Sequence, residues 1–474
     1  MKENTAPTQN KMGVMPVPKL MLNMALPMIL SMVVQALYNV VDTFFVSHMA
    51  DTAAIVNVGD KAINALTLAF PIQMLMIALG VGTGVGINAA LSRSLGQRDM
   101  ETASHIAGNA VLLGVIYSVV ITIFGIFGAE AFISSQTSNP VIAEFGTTYL
   151  RIVTLCSVSS IMFMNLEKIV QATGNTVATM VSQLSGAITN IILDPIMIYG
   201  WLGLPAMGVA GAAWATVIGQ FVSLGVTAYM FLRRTKEINI NVKYLIPSKA
   251  IIGNIYAVGA PAIVMQILSP IMTYSMNIIL GGITEAAVTA YGIYYKLQNF
   301  IFMAAYGLNN ASIPIISYNY GAGNKKRISD AIKYGLIYVC VIMLIGVALL
   351  QIFASPIVSM FSLSEDSMRL CIISMRIITF GFVFVGANVL LQGVCQALGN
   401  GLYSLIVSAF RMVIIVLPLA WFLSTLAHAE NLVWIAFPVA EASAFIAAVL
   451  LTRRIYRKRV APMGKPLPIV ENDG

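Results

Sequence analysis

Two aspartates in this chain sit where a carboxylate is costly. Asp42, in NVVDTFFV (39–46), is the only formally charged residue from Leu20 to Ser47. Asp194, in TNIILDPIMIYG (189–200), is alone in a second apolar segment. A charge at the centre of a membrane helix costs roughly 2.5–3.5 kcal/mol on insertion scales, and such residues mark ion or substrate paths. Asn190 lies one helical turn before Asp194, on the same face. Pro195 removes a backbone donor and frees a carbonyl one turn back. Gln35, Tyr38 and Asn39 add polar atoms along the first segment. Carboxylates beside an amide oxygen suit a proton or a sodium ion. Asp42, Asn190 and Asp194 are the one place this sequence offers a metal ion. The competing reading of Asp42 alone is a helix-end carboxylate reaching the headgroups. Two acids at matched depth, one with an asparagine beside it, favour a shared cavity.

The elements that must hold these residues are membrane helices. The chain has 474 residues, 58% hydrophobic and 10% charged, with a mean hydropathy of +0.85. Soluble proteins carry about 25% charged residues. Twelve apolar segments follow one another, roughly 20–47, 62–88, 104–128, 142–166, 175–199, 208–232, 250–281, 286–311, 329–354, 367–397, 400–424 and 431–452. Each is long enough to cross a hydrocarbon core of ~30 Å. The fold class is therefore an all-α membrane protein; the short alternating segments of a β-barrel are absent. The first segment is too long for a signal peptide and lacks its cleavage site. Lys and Arg crowd every second loop, at 2–19, 93–98, 168, 233–249, 325–327 and 453–465, while the alternate loops hold Lys61 and Arg369. By the positive-inside rule both termini are cytoplasmic. The net charge of +8 is then a topology signal, and nucleic acid is not a partner. Asp42 and Asp194 belong to odd-numbered segments running outward, each about five residues from the outer end, and so share a depth in the outer third of the membrane. Cys156, Cys340, Cys371 and Cys395 lie in apolar segments without a CxxC pair, which argues for ordinary packing and against a zinc or disulfide framework.

The two halves resemble each other. IVQATGNTV (169–177) matches GVCQALGNG (393–401), and LSRSLGQRD (91–99) matches ISYNYGAGN (316–324). Gly174 pairs with Gly399 and Gly96 with Gly321 at one common spacing. Leu26-Pro27 pairs with Ala260-Pro261 at another, because the 48–62 loop is longer than its counterpart. Six helices per half preserve orientation, so the repeat is parallel, with two six-helix bundles related by a pseudo-twofold axis along the membrane normal. That is a transporter plan. The expected divisions are a cytoplasmic tail (1–19), an N-lobe (20–232), a linker (233–249), a C-lobe (250–452) and a basic tail (453–474). Asp42 corresponds to Met276, and Asp194-Pro195 to Leu417-Pro418. The second half lacks both acids, which places the ion site in the N-lobe.

Other charges are less decisive. Glu167 and Lys168 close the fourth helix as an interfacial pair, or Glu167 lines the cavity. Lys296, Arg376, Arg411 and Glu441 lie inside C-lobe helices, and Glu441 is a candidate partner for Lys296. Lys296 and Met276 are also placed on the substrate cavity, with Gln35, Tyr38, Asn39 and Glu167. Pro27, Pro195 and Pro261 are candidate bends. GVGTGVG (80–86) has no strand before it and no Lys-Ser/Thr after it, so it is helix-packing glycine and not a phosphate loop.

These residues carry a likeness. The leading LP, VDTFFV, QATGN, NIILDPIMIYG, GVAGAAWAT (208–216) and QALGN resemble the MATE family, the multidrug and toxic compound extrusion transporters, in its DinF-like and MepA-like bacterial branch. The likeness covers about residues 15–455. It implies export of amphipathic, cationic compounds against inward H+ or Na+, by alternating access, from a bacterial cell (inner) membrane. It implies no cofactor and no enzymatic activity. It carries the ion-coupling roles to Asp42, Asn190 and Asp194, and to Thr216 in helix six. The NorM-like branch has acids in helices seven and ten, and this sequence has neither. The expected partners are small-molecule substrates and membrane lipids, and a monomer is expected. A lipid-linked oligosaccharide flippase keeps the fold and changes the cargo; it would want basic residues in the cavity. An intramembrane aspartyl protease needs two aspartates sharing a proton, but no GxGD-type motif flanks either acid. A channel is the remaining alternative.

Overall fold

A computed structural model describes residues 10–51, 56–235, 238, 241–361 and 363–464. Lys2, Lys236 and Lys465, used above for orientation, lie outside the described residues. Among those described, eleven helices are long and apolar enough to span a membrane, and one bent pair completes twelve. In chain order, helices one to six are Val17–Ser47, Val58–Gly96, Met100–Phe127, the pair Pro140–Leu155 and Ser157–Ala172, Thr176–Tyr199 and Val209–Arg234. Helices seven to twelve are Lys249–Gly281, Glu285–Gly321, Lys325–Ser359, Glu365–Ala397, Gly401–Ser424 and Ala429–Arg459. Several outrun their apolar segments, because polar caps lie beyond the hydrocarbon-length core.

The repeat is visible as duplicated hydrogen bonds. Asp99 caps helix three by accepting the Thr102 N–H at 2.9 Å, and Asn324 caps helix nine by accepting the Arg327 N–H at 3.2 Å. Asn175 and Asn400 cap helices five and eleven, each at 3.3 Å. Gly174 and Gly399, with φ of 87° and 76°, make the preceding turns, where a side chain would be strained. Ser92 donates to the Ala172 carbonyl at 3.0 Å, and Ser317 to that of Ala397 at 3.1 Å. All of these pairs keep the spacing of Gly174 and Gly399.

Where the bundles meet, the contacts are reciprocal. A Cβ on Gly96 would strike the Tyr318 carbonyl oxygen, and one on Gly321 would strike that of Arg93. Higher up, a Cβ on Gly82 would press on the backbone of Ile263, and one on Gly307 on that of Ile29. Each contact has its repeat-related twin, as a twofold axis between helices two and eight requires. GVGTGVG supplies Gly82 and also Gly86, which abuts the Ile255 carbonyl. Close backbone approach is what small residues provide between membrane helices.

A short helix, Lys11–Val14, braces the basic side. Asn10 donates to the Thr173 carbonyl of the first bundle at 3.1 Å. Arg327 of the second bundle donates to the carbonyls of Met12 and Met15 at 2.9 and 2.7 Å. We expect Arg327→Met to free this brace, each lost hydrogen bond from a charged donor being worth about 1.5–3 kcal/mol. Limited proteolysis should then cut before Val17 at least several-fold faster than in wild type.

Pro27, Pro195 and Pro261 all lie inside continuous helices. The breaks are elsewhere. Helix four turns by 48° at Cys156, and helix eleven carries a π segment at Phe410–Ile414. Helix four has no proline at its break, whereas in helix eleven Pro418 follows the π segment and leaves the Ile414 carbonyl, four residues back, without its helical partner.

Candidate functional site

Helices one and five lie side by side. Gln183 donates to Gln35 at 2.9 Å, Thr179 to the Met28 sulfur at 3.4 Å, and Tyr199 to the Phe45 carbonyl at 2.7 Å. Helix one ends at Ser47 and helix five at Tyr199, so their aspartates hold matched levels. Helix six closes on helix five through facing glycines: a Cβ on Gly219 would come 2.8 Å from the Gly186 carbonyl and 3.2 Å from the Asn190 Cβ. Thr216 is thereby brought to Asn190.

The result is a compact polar cluster in an apolar bundle. Asn190 (3% exposed) donates to Asp194 Oδ1 at 3.2 Å and to Thr216 Oγ1 at 3.5 Å, and Asp194 is fully buried. Three oxygens remain buried without a hydrogen-bond partner: Asp42 Oδ1, Asn190 Oδ1 and Asp194 Oδ2. A buried acceptor left unpaired costs about 1–3 kcal/mol, more when charged. Asp42 and Asp194 lie within electrostatic reach of each other and of Tyr38 and Tyr149. No salt bridge neutralises either acid among the described residues. Two carboxylates with acceptors to spare and no ion pair among the described residues have the chemistry to bind a proton or a small monovalent cation.

Tyr149 of helix four and Gln73 of helix two belong to the same neighbourhood, joined by a Gln73-to-Tyr149 hydrogen bond of 3.0 Å. The sequence reading missed both. A lone glutamine inside FPIQMLMIA (70–78) was a usable signal; Tyr149 offered none. Gln35 and Tyr38 are half-buried and Asn39 is exposed.

The remaining expectations are corrected in part. Met276 is fully buried in the core of the second bundle. Lys296 does not pair with Glu441. Glu441 accepts both Arg411 Nε and an Arg411 terminal nitrogen at 2.9 Å, while Lys296 is exposed. Lys296 shares a helix face with Gly307, which packs on helix one, and so it lies along the cleft between bundles. Arg376 is exposed as well and enters no ion pair among the described residues. Glu167 and Lys168 are buried but do not bridge. Lys168 donates to Gln171 at 2.8 Å, and Gln171 reaches across to the Asn310 carbonyl of helix eight. The separation of i and i+1 side chains around a helix explains this, since neighbours in sequence do not face each other.

The MatE family model matches residues 27–196 and 261–422. The multidrug export protein MepA of Staphylococcus saprophyticus is 26% identical over 431 residues, covering 91% of this chain and 92% of that protein. MepA of Staphylococcus aureus is also 26% identical, covering 92% and 93%. A solved outward-facing multidrug resistance MATE family transporter of the MOP superfamily superposes with a TM-score of 0.87 at 25% identity, covering 95% of this chain and 98% of the other. A MOP superfamily transporter from Pyrococcus furiosus, described as having a binding pocket of reversed polarity, gives 0.85 at 26% identity and the same coverage. The repeat, the twelve helices and these matches together place the chain in the MATE family.

Proposed function

We propose that this protein exports amphipathic, cationic small molecules from a bacterial cell across its inner membrane, in exchange for inward H+ or Na+. Access alternates between the lobes, here 20–232 and 250–452. The observation that carries this reading is the trio of unpartnered buried oxygens at Asp42, Asn190 and Asp194. In this reading Thr216 orients Asn190, while Gln35, Tyr38 and Asn39 line the path toward the cluster. Protons or sodium from outside neutralise the two acids, whose mutual repulsion then relaxes and lets helix one repack against helix five. Pro27, Pro195 and Pro261 leave free carbonyls along which helices one, five and seven flex. The chain works as a monomer with both termini cytoplasmic, among membrane lipids, and needs no cofactor.

The energetics bound the stoichiometry. One proton supplies about 1.4 kcal/mol per pH unit, and one charge about 2.3 kcal/mol per 100 mV. A monovalent drug exchanged for one proton is electroneutral and gains only the pH contribution, roughly a tenfold gradient per unit. Two protons, one per acid, would add the membrane potential.

The test is efflux of a cationic dye from proteoliposomes under an imposed pH or Na+ gradient. Acceleration by one gradient and not the other names the ion; acceleration by neither removes the antiport reading. A second reading, transport of a lipid-linked oligosaccharide, has one observation in its favour: exposed Lys296 on the cleft face. Lys296→Met should leave dye export within about threefold of wild type, because a cleft cation only opposes a cationic cargo. If dye does not move and Lys296→Met abolishes binding of a lipid-linked pyrophosphate, the second reading replaces the first.

A further inference from the structure

The second bundle contains a charged centre that the transport reading leaves unused. Arg411 and Glu441 form a bidentate-like contact, both nitrogens at 2.9 Å from one carboxylate oxygen, with side chains 5% and 14% exposed. Asn388 of helix ten donates to the other oxygen at 2.9 Å. Around the pair stand Tyr294, Tyr295 and Tyr306 of helix eight, and Tyr294 donates to Gln298. A cavity of about 70 Å³ opens beside it. That admits several waters at roughly 10–15 Å³ each, but not a drug-sized molecule, which needs about 300 Å³ or more.

The position of this centre is what gives it meaning. Glu441 stands at the repeat spacing from Thr216, the spacing of Gly174 and Gly399, and Gln298 stands at the same spacing from Gln73. The centre is therefore built by helices eight, eleven and twelve, the counterparts of helices two, five and six. In the first bundle the cluster on those helices and helix one has two acids, Asp42 and Asp194, and no ion pair to either among the described residues. In the second the corresponding cluster has one acid, Glu441, ion-paired to Arg411, a cation that is part of the chain. Helix eleven makes room for it: Arg411 projects from the π segment Phe410–Ile414, a distortion common at functional positions. A guanidinium never deprotonates in a protein, so this cation cannot leave. Replacing a buried ion pair by apolar residues is often neutral or stabilising, so stability alone gives little reason to keep one.

We propose that Arg411 is a built-in cation filling the C-lobe counterpart of the ion site, and that Glu441, Asn388 and the adjoining cavity form a latent site for a proton or monovalent cation. The permanently filled site keeps the C-lobe out of ion exchange and leaves coupling to the N-lobe. The inference rests on the N-lobe reading for its counterpart and is tested separately from it.

The experiment uses purified full-length protein in which Asp42→Asn and Asp194→Asn silence the first bundle. Its readouts are radiolabelled sodium bound per chain and the carboxylic-acid stretch in infrared difference spectra between about pH 5 and about pH 9. Adding Arg411→Met should create one new titrating carboxyl or one new bound sodium, and a further Glu441→Gln should remove it. Arg411→Lys retains the cation and guards against misfolding of the methionine variant. It should show no new signal between about pH 5 and about pH 9, because an ammonium held beside Glu441 still fills the site. A folded Arg411→Met with no signal sensitive to Glu441→Gln overturns the proposal, as does an Arg411→Lys that gains the same signal between about pH 5 and about pH 9 although its cation is retained. Signal already present in the Asp42→Asn/Asp194→Asn background would instead remove the N-lobe reading, while the increment sensitive to Glu441→Gln still decides this one.

Discussion

Asp42→Asn is expected to abolish gradient-driven efflux while leaving dye binding intact. The asparagine keeps the shape and a hydrogen-bonding oxygen, but it neither titrates nor carries charge. Asp42 Oδ1 has no partner within the described chain, so little of the fold depends on it. The loss should be specific to coupling: the gradient-dependent component disappears, because the proton's ~1.4 kcal/mol per pH unit no longer drives export. Asp194→Asn should do the same with a larger cost to expression, because Asp194 is fully buried and holds Asn190. Paired measurements of dye affinity and of initial efflux rate in proteoliposomes separate the two effects. Efflux from Asp42→Asn that still follows the gradient would reduce this residue to a helix-end carboxylate and leave Asp194 to carry the site alone.

Gly96→Ala and Gly321→Ala should each force the bundles apart on the basic side. At both positions a single Cβ collides with a backbone oxygen of the opposite bundle, and no rotamer change moves a carbonyl aside. Overpacking of this kind costs about 1–3 kcal/mol, a shift of roughly 5- to 150-fold in the balance between open and closed forms. The collision exists only where the helix-two and helix-eight ends touch, so the variants gain stability by opening toward the cytoplasm. Spin labels at Glu101 and Lys326, both exposed, should report a longer distance, with transport slowed to match. The two variants should also agree closely, since the contacts are twins across the pseudo-twofold axis. Unchanged label distances with normal transport would mean that this contact is not part of the cytoplasmic seal.

Much of the architecture was legible because a bilayer is an unforgiving solvent. Every backbone polar group in the membrane must be satisfied within its own segment. Apolar length alone therefore gave the twelve helices and their order, and the QATGN and QALGN turns disclosed the repeat. Asp42 and Asp194 stood out for the same reason: a charge surrounded by twenty apolar residues has a cost that composition makes visible. Asn190 followed from one-turn spacing.

Partnerships between helices were not legible in this way. Glu441 could be expected to pair with Lys296, and only the packing of helices ten, eleven and twelve shows that Arg411 and Asn388 claim it. Met276 aligns with Asp42 in the repeat yet is fully buried, because side-chain burial depends on how helices seven and eight turn against their neighbours. Tyr149 joined the site through the course of a helix whose bend at Cys156 no proline marks. Spacing along one chain fixes which residues share a helix face, since rise and twist per residue are constant. Which faces meet is set by glycine contacts such as Gly96 on Tyr318 and Gly219 on Gly186, and those distances exist only in the folded molecule.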